Sequence, residues 1–264
     1  VDSPLAGLAP WVGVYGMGAV AAGVAAALAL LARGHAHGTR AWPNAVLAAG
    51  AMLVLPLALP ADFTKPTGEM SVALLQSNVS QDEKFAAEHM PQTLAWVGRE
   101  LVAARADLVL SPETAVPLLP GQLEDFAPGY WASLKTYFSA PGKAALVGIP
   151  LGDFDKGYTN SVVGLSAGAS YRYDKWHLVP FGEFIPRGFR WFTDLMSIPL
   201  GDFARGVPNP PSFAVAGQRV GPNICYEDLF GEELALRFVD DALAPTVLAN
   251  ISNMGWFGDS SAIT

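Results

Sequence analysis

The chain has 264 residues, 51% of them hydrophobic and only 15% charged, with a formal net charge of −8 and a mean hydropathy of +0.30. Soluble domains carry about 25% charged residues, so part of this chain is built for apolar surroundings, and the lack of a basic run excludes a nucleic-acid partner. The single cysteine, Cys225, excludes an intrachain disulfide; no zinc-type Cys/His spacing and no phosphate-binding glycine loop occurs, so neither a metal nor another cofactor is expected.

Residues 11–32 and 41–61 contain no Asp, Glu, Lys or Arg. Each approaches the ~20 apolar residues that cross a bilayer core. A signal peptide would have a shorter apolar stretch with basic residues in front of it, so two transmembrane helices are expected within a membrane region spanning 1–61. The connecting residues 33–40, RGHAHGTR, are short and basic. That places the loop on the cytoplasmic side and everything after Asp62 outside. Gly13, Gly16, Gly18 and Gly23 suit close packing against further helices.

After a polar linker at 62–70, the run at 71–76 predicts a buried strand. Leu94, Val97, Leu101 and Val102 predict a helix within 90–105. The next apolar run ends at Ser111 with Glu113 just past it, and a helix near 122–138 leads to a strand at 144–150. Two adjacent strands follow, joined at a turn over 166–168. Residues 183–206 crowd Phe184, Phe189, Trp191 and Phe192 into a segment broken by Pro and Gly. This is either a loop folded on the domain surface or an arm that enters lipid or covers an apolar substrate. Val220 to Ile224 reads as a strand end, the pattern from Asp228 to Phe238 as a short amphipathic helix, and 245–252 as a last strand. Strands alternating with helices predict an α/β domain over 71–264.

Cys225 stands at the strand-to-helix junction. There the free N–H groups and positive dipole end of a helix favour thiolate; the commoner fate of a lone cysteine is that of a small buried hydrophobe. A cysteine nucleophile needs a base and a cation or N–H group for the oxyanion. Glu113 in SPETAVP and Lys175 in YDKWHLVPFGEF offer them, though a lone Glu past a strand is usually a solvated or capping residue and a lone Lys usually a surface one.

Taken together and in this order, these stretches resemble the Glu-Lys-Cys triad of the nitrilase (carbon–nitrogen hydrolase) superfamily. VDSPLAGLAP, LVLSPETAVP, YDKWHLVPFGEFIP, DFARG, NICYEDLFGE and ISNMGWFGDS are similar to its membrane-embedded branch, the apolipoprotein N-acyltransferase family. The resemblance implies a nitrilase-like αββα sandwich attached to transmembrane helices, on the periplasmic side of a multi-pass bacterial inner-membrane protein. It implies transfer of an acyl chain from a phospholipid donor to the N-terminal amine of a diacylglyceryl-cysteine apolipoprotein acceptor through a thioester, in lipoprotein maturation. By the same resemblance Cys225 is the nucleophile, Glu113 the general base and Lys175 the oxyanion stabiliser. Glu183, Tyr226 and Glu227 support the site, and Phe85 stands where the family often has Trp. The family's domain continues beyond WFGDS, so the catalytic domain is expected to be cut short at its C-terminal end. The alternative activity is a membrane-tethered nitrilase-type amidase hydrolysing small amides.

Overall fold

The computed structural model describes residues 5–37, 42–60, 63–79, 81–155, 157–186, 188 and 203–257. The chain divides into two units, Val1–Thr67 and Gly68–Thr264.

The first unit is a helical hairpin. Helix α1, Ala9–His37, follows a 3-10 turn and is interrupted at Gly13, whose φ of 62° lies outside the helical region; α2, Trp42–Ala58, has 17 residues. Trp11 Nε1 donates to the Pro60 carbonyl at 3.2 Å and its ring meets Phe63 edge-on at 5.0 Å, tying the two ends of the hairpin together. Farther along, a Cβ on Gly23 would lie 3.3 Å from Met52 Sδ, so the glycine allows the helices to approach. Val14, Leu28, Leu30, Leu47 and Val54 on these helices are exposed, an arrangement that is stable in lipid or against other apolar helices rather than in water. Among the described residues one helix, Ala6–Arg33 with its 3-10 turn, is long and apolar enough to cross a membrane; α2 is shorter.

In the second unit the elements are β1 Val72–Leu74, α3 Gln81–Lys84, α4 Met90–Ala103, β2 Leu108–Leu110, α5 Pro120–Phe126, α6 Tyr130–Phe138, β3 Ala144–Asp153, β4 Gly157–Ser166 and β5 Tyr171–Asp174. Then come β6 Phe213–Val215, β7 Gln218–Ile224, α7 Gly231–Ala235 and β8 Val247–Ile251. The first five strands form one sheet in chain order, parallel from β1 to β3 and antiparallel from β3 to β5. The last three form a second sheet in which β7 pairs antiparallel with β6 and parallel with β8.

The apolar runs of β2 and β3 read as buried strands because both faces of the sheet are covered there. The run at 71–76 is not the buried strand expected, since β1 lies at the sheet edge with Val72 and Leu74 exposed. Val109, Ala145 and Val147 point to one side, where Leu94, Val97 and Leu101 of α4 and Leu134 and Phe138 of α6 pack on them. Their strand neighbours Leu108, Leu110, Ala144 and Leu146 point to the other, against Phe213, Val220, Ile224 and Ile251 of the second sheet. This is the period-2 alternation of a strand sorted into two cores. The layers are therefore helix, sheet, sheet. Among the described residues of this unit no helix of eight or more residues follows β5 to cover the outside of the second sheet, where Leu248 is exposed.

Two further local expectations need correction. The single helix near 122–138 is two, α5 and α6, separated at Gly129, whose φ of 75° no helix continues through. The amphipathic helix expected over 228–238 is a succession of short pieces, a 3-10 turn Cys225–Leu229, α7 and a second 3-10 turn Leu236–Phe238.

Candidate active site

The candidate chemistry collects where strands of both sheets end. Glu113 lies three residues past β2, Lys175 directly follows β5, Cys225 directly follows β7, and Asn253 lies two residues past β8. Glu113 sits in a turn pressed on β3. Ser111 Oγ accepts the Gly148 amide at 3.0 Å and the Val116 amide donates to the Gly148 carbonyl at 3.1 Å. The next residue, Thr114, has a φ of 50°, a left-handed conformation costly for a β-branched residue and kept only where its surroundings enforce it. Gly148 is required here: a Cβ would fall 2.3 Å from the Pro112 carbonyl oxygen.

Lys175 is 1% exposed, and its Nζ lies 2.9 Å from Glu183 Oε2 and 3.7 Å from Glu113 Oε1. Asn160, on β4, joins the two carboxylates: its Nδ2 donates to Glu113 Oε1 at 2.7 Å and to Glu183 Oε1 at 2.8 Å. Both neighbours accept only, which fixes the amide orientation. The Asn253 amide reaches Glu113 Oε2 at 3.3 Å. Burial works against the charge on Lys175, but Glu113 and Glu183 outweigh it and hold its pKa above the usual lysine value. Its backbone is laced on both sides, the amide to the Asn160 carbonyl and the carbonyl to the Gly206 amide.

Cys225 is half-buried and has a φ of 52°, so the nucleophile candidate projects from a strained turn at the strand end. Glu227 organises this turn. Its Oε1 accepts the amides of Trp176 at 2.7 Å and His177 at 3.0 Å, while Oε2 accepts the Ile224 amide at 2.7 Å and the Tyr173 hydroxyl. One buried carboxylate thus ties the backbone after Lys175 to the backbone before Cys225. Asn250 Nδ2 holds the Cys225 carbonyl at 2.9 Å.

The thiolate expectation is overturned. Burial pushes the Cys225 thiol up and the Glu113 carboxylate adds to it. Lys175 and hydrogen bonds from Ser252 and the Tyr226 amide pull the other way without prevailing. The short 3-10 turn behind Cys225 offers less dipole than the continuous helix expected. A thiol resting beside a carboxylate and an ammonium group suits proton removal during attack rather than a preformed thiolate.

A carbon-nitrogen hydrolase family model matches residues 71–263. The chain belongs to the carbon–nitrogen hydrolase family. Over 99% of its length this carbon–nitrogen hydrolase is 51% identical to the apolipoprotein N-acyltransferase of Verminephrobacter eiseniae and 46% identical to that of Ralstonia nicotianae. It spans about half the length of these curated relatives, 51% and 49%. A CN-hydrolase superfamily protein of Xanthomonas campestris, with an arsenic adduct in its active site, has the same fold. The TM-score is 0.50 at 19% identity, over 75% of this chain and 69% of that one.

Of the supporting residues expected in this carbon–nitrogen hydrolase, Glu183 and Glu227 lie buried in the networks above. Tyr226 packs edge-on to His177 and Phe230. Phe85 is 55% exposed, and it is the preceding residue, Lys84, that is buried against the site. Phe184 is half-buried with the Arg205 guanidinium 5.0 Å from its ring centre; Phe189, Trp191 and Phe192 lie outside the described residues. Sequence reasoning missed Asn160, Asn253, Tyr173 and Lys84. A signal existed for the first: the polar triplet Thr159-Asn160-Ser161 interrupts an apolar strand, and a buried polar run of that kind needs partners.

Proposed function

We propose that this chain carries the catalytic centre of a membrane N-acyltransferase that moves an acyl chain from a phospholipid to the N-terminal amine of a diacylglyceryl-cysteine lipoprotein. One observation carries the reading: a half-buried thiol beside a dry Glu113–Lys175–Glu183 cluster, in a chain 51% identical over 99% of its length to a protein named apolipoprotein N-acyltransferase. In the first half-reaction Glu113 takes the Cys225 proton as sulfur attacks the ester carbonyl, and the Lys175 ammonium faces the oxyanion. Collapse forms the thioester, and the departing alkoxide of the lysophospholipid recovers the proton from Glu113. In the second, Glu113 takes a proton from the incoming amine as it attacks the thioester, and returns it to the leaving sulfur. Two moderate barriers replace one high one.

The same proposal places the helical hairpin in the bacterial inner membrane as part of a multi-pass protein, with the basic loop cytoplasmic and the catalytic unit periplasmic. The exposed apolar helices support this placement. Mass spectrometry of the protein purified from membranes tests the chemistry. The peptide containing Cys225 is expected to carry a fatty-acyl adduct that a lipopeptide amine removes faster than water does. An adduct released equally by water points to the amidase instead, and undiminished turnover by Cys225→Ala rejects the assignment.

A further inference from the structure

Lys84 has no part in the acyl transfer derived above, yet among the described residues it is one of the few charged side chains that are buried. It ends the one-turn helix α3, is 8% exposed, and its Nζ donates to the main-chain carbonyl of Glu113 at 2.7 Å. Lysine is almost never buried unless paired, and here the direct partner is a neutral carbonyl. Among the described residues the ionisable groups that face it are Glu113, from the turn after β2, and Cys225, from the turn after β7. Glu83 and Glu88, near it in sequence, are exposed. The rest of its lining, with Ser77, Thr93, Thr114 and Asn253 as the polar members, is uncharged.

Two features give this placement meaning. The carbonyl that Lys84 holds belongs to the peptide entering Thr114, whose φ of 50° needs an external restraint. And the cluster beside Cys225 holds the carboxylates of Glu113 and Glu183 against the single ammonium of Lys175, which leaves one negative charge over in a dry site where thiolate is to form.

We propose that Lys84 is a positioning residue: its ammonium pins the turn that carries Glu113 and supplies the second positive charge that, with Lys175, balances Glu113 and Glu183 as Cys225 gives up its proton. The role within a catalytic cycle rests on the acyl-transfer reading; the effect on the thiol does not. Burial brings the Lys84 pKa down to about 8 in spite of Glu113 and Cys225, so the balancing charge is lost just above neutral pH. Lys84 deprotonation then makes the cluster net negative and opposes thiolate formation.

The test is the rate of Cys225 alkylation by iodoacetamide as a function of pH, read by mass spectrometry on the intact membrane protein. In the wild type the rise of rate with pH is expected to flatten through about pH 8, where Lys84 titrates. Lys84→Met is expected to alkylate about tenfold more slowly at neutral pH, as one pKa unit on the thiol implies, and to show no bend. Lys84→Arg, whose guanidinium keeps its proton, is expected to lack the bend and to outpace the wild type at alkaline pH. A wild-type curve without the bend, or Lys84→Met and Lys84→Arg slowed alike in step with a lower Tm, overturns the proposal. If Lys84→Met does not fold, the wild-type and Lys84→Arg curves decide it. Protein that alkylates as expected but forms no acyl adduct keeps the role of Lys84 and loses the acyl-transfer reading.

Discussion

Glu227 shows how a single side chain sets the relation between distant parts of the site. Each of its oxygens accepts a different pair of donors, Trp176 and His177 amides on one, the Ile224 amide and Tyr173 hydroxyl on the other. In Glu227→Gln, whichever way the amide turns, one pair faces an NH2 group. Leaving buried donors unpaired costs about 1–3 kcal/mol each. The substitution is therefore expected to lower stability by about 3 kcal/mol, seen as a lower denaturant midpoint. The buried lysines give opposite pH dependences. The folded pKa of Lys175 is raised, so its stabilisation is fully present below the unfolded value of 10.5 and lost only as pH climbs through the higher folded value. That of Lys84 is lowered to about 8, so its penalty is fully present below 8 and relieved between there and 10.5. Across that window the unfolded state binds more protons, and stability rises. The wild type is expected to gain about 3 kcal/mol relative to Lys84→Met between those limits, measured by unfolding at stepped pH.

The elements matter to the site through their ends and their close approaches. β2 delivers Glu113, but the turn that aims it exists because β3 presents a glycine: a Cβ at residue 148 would lie 2.3 Å from the Pro112 oxygen and 2.7 Å from the Thr114 nitrogen. Gly148→Ala forces backbone to move on the carboxylate's own turn. It is expected to cost about 1–3 kcal/mol and to reduce acyl transfer more than the stability loss explains, with the two measured on the same folded sample. The strand positions were readable from the apolar runs at 71–76, 108–110, 144–150 and 245–252. β2 and most of β3 are buried on both faces and have no polar alternation to obscure them, whereas β1 and β8 are edge strands that stay apolar although Val72, Leu74, Val247 and Leu248 are exposed. β6, only Phe213–Val215, was not readable: three residues carry too little pattern. The break between α5 and α6 also escaped, since Gly129 interrupts a periodicity that continues on both sides of it.

At the scale of the whole chain, the hairpin and the catalytic unit are made for different solvents. Val14, Leu30, Leu47 and Val54 are exposed on the first, while the second sorts its apolar side chains into two cores. The proposed topology predicts that Thr39→Cys, in the basic loop of a Cys225→Ala background, is shielded from a membrane-impermeant thiol reagent in cells whose outer membrane alone is opened, and labelled once the inner membrane is permeabilised. Labelling before permeabilisation reverses the orientation. The sequence by itself determined the family, the apolar hairpin segments, most strands and the residue types at Glu113, Lys175 and Cys225, because motifs and hydrophobic runs are local properties of the chain. Only the tertiary structure decided that Asn160 bridges two carboxylates, that Glu227 joins two backbones, that Lys84 rather than Phe85 lies buried against the site, and that the thiol is pushed up. Those follow from distances and burial between residues up to 140 positions apart, where each group's charge depends on the others that exclude water with it.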